Sequence, residues 1–345
     1  MVAGGTRRTA STRHRLWNYR PYLEADGVAL DWIEYGGGRI SNPFAAAWIR
    51  ARFLAELARH ATAPDVVLVQ KVLPPGAFLR RWRARGARVV YDFDDALFAS
   101  SPMGEPPSRT RRRKARLDAA LREASVVLAG SPPLARYARN VAERVEVFYP
   151  SLAEERFREF VPTRGAPDRI RVGWVGNDQS QIYLKSLEPV LEEAFARHPE
   201  ARLVVCSSRP PRLSEALAGR TDFVPWSEDA ELRAAHSFDL AVSPLGPEEW
   251  SRARGGRVSV LLSMAAGTPV LASPGGGLEE LTEGTGGVLF AADAGTWARH
   301  LEALLSSAEM RRTVGEAARR VIDARVWARV QYPRWKAAVF GEKAD

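Results

Sequence analysis

Residues 239–290 constrain the fold more than any other part of this sequence. They alternate short apolar runs with a polar, glycine-containing loop, a short apolar helical pattern and a glycine-rich turn. Strands separated by helices imply a parallel sheet. Gly255 and Gly256 stand just ahead of the helical pattern, where backbone amides at a helix start can hold an anion. The segment therefore predicts a phosphate site beside a parallel α/β sheet.

The length of 345 residues exceeds what one hydrophobic core usually supports, so two domains of about 150 to 170 residues are expected. Two prolines and a glycine interrupt the apolar pattern at 160–168, which predicts a linker there. The sequence thus predicts a first domain at 1–165, a second at 166–325 and an amphipathic C-terminal helix at 326–345. No apolar run approaches the roughly 18 residues of a membrane span.

Both predicted domains are built of strand–helix units. The pattern predicts strands at 66–69, 89–91, 126–129, 145–148, 170–175, 203–206, 240–242, 270–272 and 288–290. It predicts helices at 43–60, 75–85, 112–123, 133–144, 184–197, 231–235, 259–266, 297–305 and 308–320. The short apolar stretch at 1–3 is all that could form an opening strand ahead of a predicted loop at 10–15, so we expect either a vestigial first strand or a truncated start of the chain.

Four motifs carry a resemblance to a known family. They are SMAAGTPVLAS at 263–273, VGWVG at 172–176, VPWSED at 224–229 and YDFDDALF at 91–98. Together they resemble the retaining glycosyltransferases of family 4, in a bacterial branch with a YDFDDA motif, over nearly the whole chain from Ser11. The resemblance implies the GT-B fold: two Rossmann-like, doubly wound parallel-sheet domains facing a cleft, with the C-terminal helix crossing back onto the first domain.

The resemblance also implies an activity of the hexosyltransferase type. Such an enzyme moves a sugar from a nucleoside-diphosphate donor to a hydroxyl acceptor, either a glycan, a lipid-linked acceptor or a small molecule, with retention of configuration. The second domain would hold the donor and the first the acceptor. No metal or other cofactor is expected, and a role in cell-envelope or polysaccharide biosynthesis is implied.

Ligands of doubly wound sheets bind beyond the carboxyl ends of the strands. On the donor side, Gly173 and Gly176 would let the backbone approach a diphosphate, and Asn177 would hydrogen-bond oxygens. Trp226 would stack on a nucleobase, or else only pack as a half-buried ring. Ser180 is predicted to cap the helix that follows it.

The loop at 252–259 is the predicted clamp for the leaving diphosphate. Arg254 and Arg257 would supply positive charge, while Gly255, Gly256 and Ser259 would offer backbone and hydroxyl donors. Such groups stabilise the charge that grows on the leaving phosphate in the transition state, a task that other transferases give to a metal ion. The alternative is a solvated basic loop.

The chain departs from the family at one pair of positions. Relatives commonly carry two glutamates eight residues apart, where this sequence has Arg254 and Leu262. The second glutamate is expected to hold ribose hydroxyls, and leucine cannot. A rival interpretation is therefore a catalytically silent GT-B protein that binds a nucleotide sugar or a glycan.

Asp92, Asp94 and Asp95 cluster at the carboxyl end of a first-domain strand. Three neighbouring carboxylates repel one another unless a donor, a cation or an acceptor hydroxyl is close, so perturbed pKa values and acceptor contact are expected. We predict Asp94 and Asp95 on the acceptor side and, with Arg254, as catalytic residues. A metal site would need further ligands, and the histidines show no metal-ligand spacing.

Arg13, His14 and Arg15 would join the acceptor side, where they could meet an anionic acceptor. This part of the chain is basic: residues 1–166 carry 28 Lys and Arg against 17 Asp and Glu, within a total charge of +9. The run RTRRRKAR at 109–116 is predicted to contact anionic lipid or a lipid-diphosphate acceptor, or else to be a solvated helix start.

Two further expectations concern partners and location. No interleaved aromatic and basic motif indicates specific nucleic-acid binding, despite a pI of about 10.0. One cysteine, Cys206, excludes an internal disulfide, and the N-terminal residues lack the apolar core of a signal peptide. The sequence thus predicts a cytoplasmic protein, and the basic first domain adds the option of peripheral contact with the inner face of the membrane.

Overall fold

The computed structural model describes residues 1–35, 43–59, 64–101, 103–160 and 169–341. The chain forms two compact units. Unit 1 comprises Met1–Ser151, Glu248–Gly256 and Ala328–Asp345, and unit 2 comprises Leu152–Pro247 and Arg257–Trp327. The domains predicted from sequence divide at 165 and 325, whereas the compact units divide at 151 and 327. Most of the predicted linker, 161–168, lies outside the described residues.

The strands are, in chain order, β1 (Val2–Ala3), β2 (Ile33–Glu34), β3 (Val66–Gln70), β4 (Arg88–Phe93), β5 (Val126–Ala129), β6 (Val145–Val147), β7 (Ile170–Val175), β8 (Ala201–Ser207), β9 (Thr221–Pro225), β10 (Leu240–Ser243), β11 (Val270–Ala272) and β12 (Val288–Phe290). Most are nearly unbroken apolar runs, as expected for strands covered on both faces.

The α-helices are, in chain order, α1 (Ala10–Arg15), α2 (Arg20–Ala25), α3 (Pro43–Arg59), α4 (Gly76–Ala84), α5 (Pro107–Glu123), α6 (Pro132–Arg139), α7 (Glu154–Arg158), α8 (Gln181–Ser186), α9 (Glu188–Arg197), α10 (Glu215–Ala218), α11 (Glu228–Ser237), α12 (Glu249–Ala253), α13 (Val258–Ala265), α14 (Leu278–Thr282), α15 (Ala294–Ser306), α16 (Ala308–Arg325) and α17 (Ala328–Phe340). A 3₁₀ turn spans Trp17–Tyr19. Among the described residues, no helix is both long and apolar enough to cross a membrane.

Unit 1 is a parallel sheet in the order β2-β1-β3-β4-β5-β6. Its opening strand, hard to see in the sequence, is the two-residue β1, which pairs on both sides: Val2 aligns with Ile33 and with Val69. Side chains of α3 to α6 pack on one face of the sheet. The other face is covered by α2, the 3₁₀ turn and α17, with Trp335 stacked 4.5 Å from Tyr19.

Unit 2 is a parallel sheet in the order β12-β11-β10-β7-β8-β9. The strand order reverses between β7 and β10, which is the doubly wound arrangement. The predicted α/β class with two such sheets is confirmed. Two local predictions are wrong. Residues 10–15, predicted as a loop, form α1. Residues 184–197 form not one helix but the end of α8 followed by α9, because Pro189 favours the first turn of a new helix.

Candidate functional site

The carboxyl end of unit 1's sheet gathers the charged residues predicted from sequence. Asp94 and Asp95 directly follow β4, and Lys71 directly follows the neighbouring β3. The Lys71 ammonium contacts the Asp95 carboxylate and lies 3.7 Å from Asp94 Oδ1. Asp94 is buried and Asp95 is partly open. The repulsion expected among the carboxylates is thus relieved by a lysine that the sequence pattern did not single out.

The opposite charges of Lys71 and the two aspartates favour the ionised form of one another. Burial lowers the pKa of Lys71, but the carboxylates of Asp94 and Asp95 outweigh it and raise that pKa above its ordinary value. Burial also raises the pKa of Asp94, but Lys71, Arg15 and a hydrogen bond from Ser11 lower it overall. Asp94 is therefore a carboxylate at neutral pH. A carboxylate with a lowered pKa orients a hydroxyl well and removes its proton poorly.

Lys71 has a strained backbone. Its φ is +63°, a left-handed value that is uncommon for a residue with a side chain. The Val72 amide donates to the Gln70 carbonyl at 2.7 Å, which closes a three-residue turn around Lys71, and the Lys71 amide donates to Asp92 O at 2.8 Å. Strain of this kind persists where surrounding contacts impose it, and it is common at functional sites. In the sequence, the one sign of this site is that Lys71 directly follows the mainly apolar run VVLVQ.

Arg254, Gly255 and Gly256 belong to unit 1, next to Asp94. The Gly255 amide donates to the Asp94 carbonyl at 2.8 Å. A Cβ on Gly255 would lie 2.0 Å from the Gly130 carbonyl oxygen, so only glycine permits this approach. The Arg254 charge acts on the pKa values of Lys71 and Asp94, which places it in the same cluster. Its Nε is buried and has no hydrogen-bond partner in the part of the chain that the structure describes.

The residues Arg13, His14 and Arg15, predicted on the acceptor side, lie on α1 and are buried. Arg15 pairs with Asp92 through bonds of 2.9 Å from Nε to Oδ1 and 2.5 Å from Nη2 to Oδ2. Although burial lowers it, the pKa of Arg15 is raised by the Asp92 carboxylate. His14 Nδ1 is 2.8 Å from the Ser151 carbonyl, and Arg13 Nε donates to His14 Nε2 at 3.3 Å. These contacts tie α1 into unit 1.

In unit 2, Arg257 makes a network with backbone and hydroxyl oxygens. Its guanidinium donates to Ser273 O at 2.7 Å, to Gly275 O at 3.1 Å and to Ser243 O and Oγ at 2.9 and 2.8 Å. The side chain is buried. Arg257 therefore fastens the loops that follow β10 and β11, at the edge where ligands of doubly wound sheets bind.

The two predicted donor glycines are required by packing inside unit 2. A Cβ on Gly173 would lie 2.1 Å from the Phe238 ring, and one on Gly176 would lie 2.4 Å from the Trp174 ring. Asn177 Oδ1 accepts from the Ser180 amide at 2.9 Å. The expected cap by Ser180 is absent: its side chain makes no capping bond to α8 and donates to Asn177 O instead.

Trp226 and Ser259 occupy more open positions of unit 2. The indole of Trp226 is 37% exposed, and its Nε1 donates to Glu231 Oε2 at 2.8 Å, which holds the ring at the end of β9. Ser259 lies half-buried in the first turn of α13 and lines a small cavity with Gly173, Ser243 and Ser263. Leu262, on the same helix, is buried.

Potential metal ligands do not converge in residues 1–35, 43–59, 64–101, 103–160 and 169–341. Within these ranges, no group of three or more His, Cys, Asp or Glu side chains is placed to hold a metal ion. The carboxylates of Asp94 and Asp95 lie near the Lys71 ammonium. Arg15 and Arg254 add positive charge beside these carboxylates, since both lower the pKa of Asp94.

Residues 169–307 match the family described as Glycosyl transferases group 1. A search of curated proteins gave no match. The fold is similar to that of Anabaena HepE solved with UDP and glucose, with a TM-score of 0.65 at 16% identity, covering 98% of this chain and 99% of that one. A glycosyltransferase from Rickettsia africae gives 0.68 at 14% identity, covering 99% and 97%. WaaG, a glycosyltransferase involved in lipopolysaccharide biosynthesis, gives 0.65 at 17% identity, covering 98% of both chains. The fold class is therefore GT-B, as the sequence predicted.

Proposed function

We propose that this protein is a glycosyltransferase that moves a sugar from a nucleoside-diphosphate donor to a hydroxyl acceptor. The observation that carries the proposal is the match of residues 169–307 to the group 1 glycosyl transferases. That range contains β7 and β10, between which the strand order of unit 2 reverses. Doubly wound sheets bind nucleotides beyond the carboxyl ends of the strands at such a reversal.

Unit 2 is the proposed donor-binding unit. Anabaena HepE, which shares the fold, has been solved with UDP-glucose. In this chain, the more open groups beyond the carboxyl ends of the unit 2 strands are the segment after Gly176, the Trp226 ring and Ser259 in the first turn of α13. The buried Arg257 side chain holds the loops after β10 and β11 in place through its hydrogen bonds. Its place in the donor site is thus a positioning role rather than a direct phosphate contact.

Arg254 and Lys71 are the cations proposed for the chemical step. Departure of the nucleoside diphosphate builds negative charge, and preorganised cations stabilise that charge most in the transition state. Arg254 retains a buried Nε without a hydrogen bond among the described residues. These groups supply the positive charge for a reaction that we propose to be metal-independent and to retain configuration. The ionised Asp94 and the more open Asp95 would orient the acceptor hydroxyl.

A catalytically silent sugar-nucleotide binder is the second candidate. One observation favours it: Leu262 is buried and apolar where relatives of the resembled family carry an acid. A leucine offers no acceptor for ribose hydroxyls. The two candidates share donor binding and differ in turnover, so donor hydrolysis and sugar transfer separate them.

The test is a thermal-shift screen of UDP-, GDP- and dTDP-sugars followed by measurement of nucleoside diphosphate release. A bound donor stabilises the fold by mass action, about 2.7 kcal/mol at a concentration a hundredfold above Kd. We expect one donor class to raise Tm and to be turned over. Arg254→Ala should slow turnover, whereas Arg252→Ala, an exposed neighbour, should not. Failure of every donor to shift Tm at millimolar concentration would reject the proposal.

We also propose a biosynthetic role on the cytoplasmic side, where nucleotide sugars are made. WaaG, a structural neighbour, is described as acting in lipopolysaccharide biosynthesis. The acceptor of this chain is then a glycan, a lipid-linked sugar or a small molecule. Incubating the protein with labelled donor and each acceptor class tests this directly, since only the true acceptor should gain label.

A further inference from the structure

Helix α3 is apolar on two faces. Phe53 and Leu57 pack into the core of unit 1. The opposite face turns outward, with Phe44 exposed by 85%, Trp48 by 63% and Leu54 by 36%. Exposed alanines fill the spaces between them, at positions 47, 51, 55 and 58. We call Phe44, Trp48, Leu54 and these four alanines the outer stripe. A contiguous exposed stripe of this kind marks an interaction site more often than isolated apolar residues do.

The outer stripe is bordered by positive charge. Arg50, Arg52 and Arg59 are exposed on the same helix, and Arg52 lies over the Trp48 ring at 5.8 Å. The one acid of the helix, Glu56, accepts a hydrogen bond from Arg52 Nε at 3.2 Å. An aromatic and aliphatic stripe with an arginine border is typical of helices that lie in the interfacial layer of a bilayer.

The neighbouring helices on this face of the sheet extend the positive surface. Side chains of α3, α4 and α5 pack into one core cluster, so all three helices cover the same face of unit 1. Together they contain 13 Lys and Arg against three Asp and Glu, a net charge of +10, whereas the whole chain carries +9. The basic run at 109–116, noted in the sequence, is part of α5. The net charge of the protein is thus concentrated on one helical layer.

From this juxtaposition we propose that the α3–α4–α5 layer docks on an anionic membrane surface, with the outer stripe inserted among the lipid headgroups and acyl chains. Each arginine near an anionic leaflet is attracted to the negative lipid headgroups. Trp48 and Phe44 supply apolar area that burial in the interface stabilises. Neither contribution depends on the proposed sugar transfer.

Charge complementarity favours a membrane over a second copy of the chain. Two copies of a layer with a net charge of +10 would repel each other face to face, whereas an anionic leaflet attracts the layer. A nucleic acid would also be attracted, but it has no acyl layer to receive a leucine and several alanines. The apolar stripe and the basic border together therefore fit an anionic bilayer best.

The first experiment is flotation of the full chain with vesicles of phosphatidylcholine alone or with about 30 mol% phosphatidylglycerol. The wild type should bind the anionic vesicles only, and less as salt rises. F44S/W48S should weaken binding roughly tenfold or more, and R111A/R112A roughly fivefold per arginine. R312A/R320A, which removes two arginines from α16 of unit 2, is the matched control and should bind like the wild type.

A second measurement locates the contact. Cys206 is fully buried, so a cysteine introduced at an exposed helical position takes up an environment-sensitive dye selectively. The dye at Ala51→Cys in the outer stripe should shift to the blue on anionic vesicles, whereas the dye at Thr313→Cys on α16 should not. Thermal melts confirm that each variant is folded, and loss of exposed side chains should leave Tm within a few degrees.

Three results would overturn the proposal. The first is binding of F44S/W48S to anionic vesicles as tightly as the wild type. The second is an equal response of both dyes, which would place the contact elsewhere. The third is an absence of vesicle binding together with binding to another partner. That partner would be an oligonucleotide if the protein binds one, or a second copy of the chain if the wild type forms a dimer that F44S/W48S abolishes.

Discussion

Gly255 gives the most sharply defined perturbation in unit 1. A Cβ at this position would lie 2.0 Å from the Gly130 carbonyl oxygen and 2.2 Å from its carbon, and contacts below 3.0 Å do not occur in folded proteins. Gly255→Ala must therefore push segment 254–256 away from the ends of β4 and β5. Gly256→Ala is the matched control, because its Cβ would make an ordinary 3.5 Å contact with Asp94 Oδ2.

The displacement has a calculable cost. It removes the bond from the Gly255 amide to Asp94 O, at 2.8 Å, and it weakens the bond from Ser131 Oγ to Ala253 O, at 2.6 Å. Each such bond contributes about 1 kcal/mol, and overpacking adds about 1 to 3 kcal/mol. We expect Gly255→Ala to lower the free energy of unfolding of unit 1 by roughly 2 to 4 kcal/mol. Gly256→Ala should change it by less than about 1 kcal/mol.

Urea denaturation followed by circular dichroism gives the comparison, with each unit's transition resolved if the two do not unfold together. Donor turnover should also fall in Gly255→Ala, because Arg254 moves with the segment. Equal stability of the two alanine variants would refute the reasoning, since it would mean that the close approach of Gly255 to Gly130 does not exist in solution.

The remaining predictions concern single charged groups. Arg257→Ala should destabilise unit 2 by roughly 2 to 4 kcal/mol in urea, because the carbonyls of Ser273, Gly275 and Ser243 lose a buried donor; a loss below about 1 kcal/mol would contradict this. Lys71→Met should raise the pKa of Asp94, so the acid limb of the turnover profile should move to higher pH, and an unmoved limb would remove Lys71 from the site. Burial lowers the pKa of the His198 imidazole, but hydrogen bonds to Glu302 and Glu200 raise this pKa overall. The stabilisation that protonated His198 gives the folded state is therefore complete below about pH 6.5, the ordinary pKa of histidine, and is lost as the pH rises through the pKa of the folded state. His198→Gln should accordingly lower the free energy of unfolding more at about pH 6 than at about pH 9.

Long apolar strands and periodic helices were predictable from the sequence. The strands β5, β7, β11 and β12 are predicted with the bounds that the structure gives, since a short, mainly apolar run between turn residues indicates a covered strand. The opening strand β1 was not, because two residues carry no periodicity. Its place is set by hydrogen bonding to β2 and β3, which only the three-dimensional fold brings together.

The sequence predicted which loops carry charge but not what the charges contact. Asp94 and Arg254 are far apart in the sequence, and nothing local indicates that Glu248–Gly256 belongs to unit 1. The sequence does not predict a role for Lys71, because a single lysine after a strand is common. Arg257 looked equivalent to Arg254, yet it is buried and bonded to carbonyls. Gly173 and Gly176 looked like phosphate-loop glycines, yet neighbouring rings alone account for them.

Amide hydrogen exchange of the full chain with and without the most stabilising sugar nucleotide tests the central claim most directly. We predict slowed exchange at 176–181, at 226–230 and in the first turn of α13, the open edge of unit 2. The contrary result would be exchange that is unchanged at all three segments under saturating donor. In that case the carboxyl edge of this sheet would not be where the sugar nucleotide binds.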